Sequence, residues 1–366
     1  MRMTLCYTVK DIKKSVMLIM KKLLPKQKKW QISRSKKEIR YRKRRNKFKN
    51  KGHIKVKKRK ASILNEEKIV APKILSVFSN PKETLGFFKE VNLKIKRARV
   101  EGKLFFDLSD IEDVTVDAIM YLIAIIKNFK RINALRITCG GNLPKNDIAK
   151  ERFENCGFYK YVNPQYSIKK SICADHINIE SGIKADPKLA REICIFVHNH
   201  SSLKIIDTKS LYTMMMELMT NTNQHAYNKS TYFNANWYIF VEDYPEYLQF
   251  VFLDTGDGIP NTVKRKNFLE NIKGMFDLND AFFISSALKG EFRSETNLGY
   301  RGKGLPEIYN RAKSEYILDF SVISGRGKCD VTKDGEITNN NLEENFLGTM
   351  LCWKLRKSNG TMSIDK

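Results

Sequence analysis

The sequence contains no CxxC pair, and its cysteines are odd in number: Cys6, Cys139, Cys156, Cys173, Cys194, Cys329 and Cys352. That pattern argues against a disulfide framework or a zinc ribbon and for reduced thiols, so a cytoplasmic location is expected. Nor is there a run approaching the roughly 20 apolar residues that a spanning helix needs. The best candidate, residues 15–25 (SVMLIMKKLLP), is short and interrupted by Lys21 and Lys22. A secretory leader would place its positive charges before the apolar run, not within its end. Acidic residues are almost missing from the first 60 positions, where only Asp11 and Glu38 oppose 25 Lys and Arg.

What is present reads as a globular body carrying a basic arm. The chain has 366 residues, 42% hydrophobic and 29% charged, enough for a sizeable core and two to three domains. Of the net charge of +27, the first 60 residues hold +23 and the remaining 306 only +4. Blocks of like charge repel and stay solvated, so residues 1–64 are expected to be a largely disordered arm. Trp30, Tyr41 and Phe48 interleave with its charges, as in segments that lie on nucleic acid and stack occasional bases. Three readings of the arm stay open: a solubilising tail, nucleic-acid contact through residues 30–60, and attachment to an anionic membrane surface.

Residues 65–170 alternate strand and helix signals, which predicts an α/β layer. Asn80-Pro81 supplies a cap and a first-turn proline for a helix running on through Ile95. A strand at 103–108 (KLFFDL), an apolar helix at 118–129, a strand at 134–139 and a helix at 147–156 stopped by Gly157 follow. The stretch FDLSDIEDVTVDAIMYL, then a strand, then FENCGFYKYV, resembles the domain shared by sulfate transporters and anti-sigma-factor antagonists, the STAS domain. In that family a serine at the start of the helix is phosphorylated. Here Thr115-Val116-Asp117-Ala118 stands in its place, which puts Asp117 near the phosphorylatable position and departs from the serine switch.

Residues 180–357 carry the more specific pattern. Helices are expected at 187–198 and 207–227, strands at 237–241 and 248–253, and a helix at 280–288 inside an otherwise loop-like stretch from 261 to 300. A helix at 305–313 and strands at 317–323, near 328–331 and at 348–355 complete the unit, with a tail at 358–366. Glu217, Asn221 and His225 recur every four residues and so share one helix face, bordered by Gln224. Alone they could be a solvent-facing polar stripe. Asp254 ends a strong strand and opens LDTGDGIP, where Gly256 and Gly258 allow a ligand to approach the backbone. This segment lacks the further ligands and terminal glutamate of a calcium loop. GYRGKGLP at 299–306 runs into a helix, the arrangement in which bare N–H groups bind phosphate, with Arg301 and Lys303 adding charge. Neither Walker nor Rossmann spacing is present.

In this order the motifs resemble the nucleotide site of the gyrase, heat-shock chaperone, histidine kinase and mismatch-repair ATPases, the GHKL superfamily with its Bergerat fold. The resemblance rests on Glu217-x-x-x-Asn221-x-x-x-His225-Ala226, Asp254-x-Gly256-x-Gly258, Gly299-x-x-Gly302-x-Gly304-Leu305 and Gly348-Thr349. It implies ATP and Mg²⁺ as cofactors. Asn221 would hold Mg²⁺, and Asp254 would accept the adenine amine with Thr349 behind it. Gly302 and Gly304 would wrap the triphosphate under a lid formed by 261–300. Glu217 would be the base. Gln224 stands where many kinases of the superfamily have lysine. The His198-x-His200 pair lacks the acid that follows a phosphoacceptor histidine and reads as helix-end polarity. The expected fold class is therefore α/β, with a nucleotide-dependent switch as the expected function. An anti-sigma-type serine/threonine kinase and an ATP-gated nucleic-acid-binding regulator are the alternatives, with a regulatory protein partner or a second copy of the chain as partners.

Overall fold

A computed structural model describes residues 66–97, 102–132, 137–163, 172–201, 205–225, 236–265, 279–291, 304–313, 317–332 and 334–357. The basic arm, Arg301, Gly302, Lys303, the tail and most of the expected lid lie outside the described residues. What is described is a mixed α/β structure built as two layers of one compact unit.

The first layer is a three-stranded parallel sheet in the order β1 (Glu66–Val70), β3 (Gly102–Asp107), β5 (Ile137–Gly141). A small parallel pair, β2 (Ile74–Leu75) with β4 (Asp113–Val114), lies beside it in sequence. Helix α1 (Pro81–Arg97) starts at the expected proline, and α2 (Val116–Ile132) follows β4. Every residue of α2 from Val116 to Ile126 is buried. A helix apolar on all sides must be covered on all sides, and α2 packs against α1 and against a strand of the second layer. Helix α3 (Asp147–Asn155) is capped by Asn146, whose side chain accepts the Ala149 N–H, and the chain reverses at Gly157, φ 88°. A single turn, α4 (Tyr159–Val162), ends the layer.

The second layer is a five-stranded antiparallel sheet in the order β6 (His176–Gly182), β7 (Trp237–Asp243), β8 (Tyr247–Asp254), β10 (Ile337–Arg356), β9 (Ile317–Val331). Its strands are apolar on both faces, and the alternation of side chains explains why. Trp237, Ile239, Phe250, Phe252, Leu351 and Trp353 face one core, shared with α5 (Pro187–His200), α6 (Ile205–His225), α7 (Ile259–Arg265), α8 (Asp280–Lys289) and α9 (Gly304–Ala312). Tyr238, Phe240, Val251, Leu253, Phe346 and Met350 face the other core, shared with α1, α2 and the first sheet.

Two expectations need correction. Residues 259–265, at the start of the stretch expected to be loop-like, form α7. The three short strands expected after residue 317 are two long ones, β9 and β10. The Ser324–Gly327 stretch that reads as a break is accommodated within β9, where the Arg326 N–H donates to Asp280 Oδ2 at 2.8 Å. The polar start of β10 pairs regularly with β9 from Ile337 to Asn341 although its side chains are largely exposed.

Candidate functional site

The acid–amide face lies on α6. Met214, Met215, Leu218, Met219 and Thr222 of this helix are buried, whereas Glu217 and Asn221 are half-buried. The stripe thus borders the core instead of standing in open solvent. Gln224 and His225 occupy the last turn of the helix. Helix α9 opens at Gly304, as expected, and packs against α6. Its Ile308, Tyr309 and Ala312 are buried, and Leu305 is half-buried against the same core.

The Asp254 corner is the best-defined part. Asp254 is the last residue of β8 and stands between two strand neighbours, Trp237 of β7 and Thr349 of β10. Its Oδ1 accepts the Gly256 N–H at 2.8 Å, turning the chain sharply out of the strand. Thr255 is buried and anchored to Asn236, donating its N–H to the Asn236 carbonyl at 3.0 Å and accepting the Asn236 N–H at 3.0 Å. Among the described residues no Lys or Arg acts on the Asp254 carboxylate. Burial pushes its pKa up to about 7, against the Gly256 N–H that favours the ionised form, and the neighbouring Asp257 adds to the rise.

Two glycines let three segments converge here. Gly258 has φ 81°, and a Cβ on it would stand 2.8 Å from Ser324 Oγ and 3.0 Å from the Gly348 carbonyl. Gly348 has φ 107°, and a Cβ on it would stand 2.2 Å from the Asp254 carbonyl oxygen. Both positions therefore require glycine on conformational and steric grounds.

At the centre is Ser324, fully buried on β9 and not singled out in the sequence. Its hydroxyl donates to the Gly348 carbonyl at 2.7 Å, accepts the Ile259 N–H at 3.0 Å and lies 3.1 Å from Thr349 Oγ1. The only cue in the sequence is a serine between Val322-Ile323 and Gly325 in a strand whose other inward positions are apolar. So Asp254, Gly256, Gly258 and Thr349 come together, on a core that α6, α7 and α9 share.

The corner offers an acceptor carboxylate beside two turn positions that carry no side chain. An uncompensated carboxylate accepts a hydrogen bond from an exocyclic amine, and the absence of side chains on Gly256 and Gly258 leaves the turn open to close approach. Among the described residues no group of three or more His, Cys, Asp or Glu side chains is arranged to hold a metal ion.

Two other expectations are placed by the structure. Asp117 is buried at the start of α2, and its Oδ2 accepts the Val77 and Phe78 N–H groups at 2.7 and 3.2 Å. Burial raises its pKa. It clamps the loop before α1 and presents no open carboxylate. His200 ends α5 with its ring nitrogens 2.8 Å from the Phe196 carbonyl and 2.7 Å from the Ala174 carbonyl, in keeping with helix-end polarity. No helix among the described residues is long and apolar enough to cross a membrane. No protein-family model matches the chain, and no curated protein matches it in sequence.

Proposed function

We propose that residues 180–357 bind Mg²⁺–ATP in the manner of the GHKL superfamily and use it for a conformational switch. The observation that carries this reading is the Asp254 corner: a carboxylate raised to about 7 by burial, facing two side-chain-free turn positions, with Thr349 as its strand neighbour. Asp254 accepts the adenine amine, and Thr349 supports the same edge through water. Asn221 contributes its amide oxygen to Mg²⁺, which neutralises phosphate charge when bound. Glu217, one turn before Asn221, orients the attacking water. Arg301, Gly302, Lys303 and Gly304 cradle the phosphates, the last at the N-terminus of α9.

The first layer, similar in pattern to a STAS domain, is the natural regulatory partner fused to this site. The arm, with its net charge of +23, provides a nucleic-acid contact through residues 30–60. Whether phosphate goes to water or to a serine or threonine of a protein partner decides between an ATPase switch and an anti-sigma-type kinase.

The test compares wild type, Glu217→Ala and Asn221→Ala for Mg²⁺-dependent phosphate release and for thermal stabilisation by ATP. The ATPase reading expects release by wild type, binding without release by Glu217→Ala, and loss of Mg²⁺-dependent binding by Asn221→Ala. Binding by all three with release by none, together with label transfer from the γ-phosphate to protein, moves the reading to the kinase. Failure of ATP to stabilise any of them overturns the nucleotide site.

A further inference from the structure

The part of β10 that leads into Gly348-Thr349 is only irregularly paired within its own sheet. From Ile337 to Asn341 the strand pairs regularly with β9, and it does so again from Thr349 to Lys354. Between these stretches the register slips twice, and Phe346 alone is paired, with Gly325.

Further holding contacts come from the first layer. Lys82 and Lys89 of α1 pair with Glu343 and Glu344 at 2.8 and 2.7 Å. These pairs are largely exposed, and such pairs contribute about 0–1 kcal/mol each. The contacts of Tyr121 on α2 are of another kind. Its ring stacks on Phe346 with centroids 4.4 Å apart and planes 25° apart, and its Oη accepts the Leu347 N–H at 3.0 Å. Tyr121 and Phe346 are each 1% exposed. The Leu347 N–H sits at a half-buried seam, so losing that oxygen removes its partner where water reaches it poorly.

The residue after Leu347 is Gly348, whose carbonyl takes the Ser324 hydroxyl and whose Cα abuts the Asp254 carbonyl. One helical turn before Tyr121, Asp117 clamps the loop in front of α1. The first turns of α2 are therefore fixed to their own layer at one point and to β10 at the next.

We infer that Tyr121 is a positioning residue for the Asp254 corner: it hangs Leu347-Gly348 at the place that sets Gly348 against Asp254 and Ser324, so the first layer sets the affinity of the nucleotide site through β10. The inference rests on the nucleotide reading of that corner. By linkage, a protein partner that shifts α2 changes ATP affinity by the same factor as ATP changes affinity for that partner.

Tyr121→Phe in the full chain tests this, because it keeps the ring stack and deletes only the oxygen. Loss of one buried hydrogen bond corresponds to about a fivefold change. Amide exchange in the ATP-free protein should rise by about that factor at Leu347, Gly348, Thr349 and Ile259 and stay unchanged in β6 and β7. The ATP dissociation constant, measured well below the melting temperature, should rise by a similar factor. Ile69→Ala, a cavity in β1, whose neighbours are β3 and α1, serves as the structural control and should lower the melting temperature without changing ATP affinity. Exchange that stays at the wild-type rate or rises uniformly over the whole chain overturns the inference. So does an equal loss of ATP affinity in the Ile69 variant. If wild type and Tyr121→Phe bind ATP equally while Asp254→Ala does not bind, the inference fails and the nucleotide reading stands. If wild type itself does not bind ATP, the nucleotide reading fails and takes the inference with it.

Discussion

Gly348 lies so close to Asp254 that a Cβ on it would stand 2.2 Å from the Asp254 carbonyl oxygen, and its φ of 107° is one that other residues rarely adopt. The three nearest atoms, the carbonyl of Asp254 and the Cα of Thr255, are all backbone, so none gives way as the tip of a side chain would. Gly348→Ala should destabilise the protein by at least ~2 kcal/mol, read from urea unfolding. Gly86 is the contrast, since a Cβ there meets nothing within 4 Å and the residue sits inside α1. Gly86→Ala should stabilise by ~0.5–1 kcal/mol. An equal effect at both positions would mean that the corner is not strained as described.

Ser324 serves two other segments, the start of α7 and β10, with one hydroxyl. Ser324→Ala leaves the Ile259 N–H and the Gly348 carbonyl without their partner in a fully buried place. The expected cost is ~1–3 kcal/mol of stability. Faster amide exchange at Ile259 should accompany it, and a melting temperature unchanged from wild type would remove Ser324 from the centre of the corner.

Arg152 of α3 ties the first layer to β7. Its guanidinium pairs with Glu242 and donates to the Tyr244 hydroxyl at 2.6 Å, and that hydroxyl in turn donates to Glu242 at 2.8 Å. The side chains of Arg152 and Glu242 are 29% and 18% exposed, so removing one partner strands a poorly solvated charge. Arg152→Ala should cost ~2 kcal/mol or more, whereas Lys145→Ala, which breaks an exposed pair with Asp110, should stay within ~0.5 kcal/mol. Denaturant midpoints of the two variants give the comparison.

Much of this fold was legible where one physical signal dominated. The run AIMYLIAII reads as a buried helix because nothing polar interrupts it, and α2 is buried all round for the same reason. The strand β8 and the turn after it read directly, because an apolar run ends in an acid followed by glycines at Gly256 and Gly258. Elements stabilised by partners distant in sequence were not legible. The start of β10 is polar and exposed and becomes a strand through its pairing with β9. β1, whose sequence is EEKIV, is held by parallel pairing with β3 and by Ile69 in the core, partners distant in sequence. Helix α7 begins at Ile259-Pro260, which reads as a turn, yet its first N–H is taken by Ser324, 65 residues away. For the same reason Ser324 escaped notice: its partners belong to two other stretches of chain, at Ile259 and at Gly348-Thr349.

The raised pKa of Asp254 has a sign that can be checked. A carboxyl whose pKa is raised in the folded protein binds protons there that the unfolded chain has already released. Stability contributed by its neutral form is fully present below the unfolded value, near 4, and is lost as pH rises through about 7. The ligand-free protein should therefore lose stability across that window, by ~4 kcal/mol at most from this one group. Asp254→Asn, neutral at every pH and of the same shape, should flatten that part of the profile. Its amide replaces one acceptor oxygen with a donor, so it should also bind ATP more weakly than wild type if the carboxylate receives the adenine amine. Urea unfolding of both proteins from pH 4 to 8, with ATP affinity measured at pH 7.5, tests the two expectations separately. A wild-type profile parallel to that of Asp254→Asn would mean that the carboxylate is solvated and ionised throughout, and the burial that singles out this corner would lose its chemical meaning.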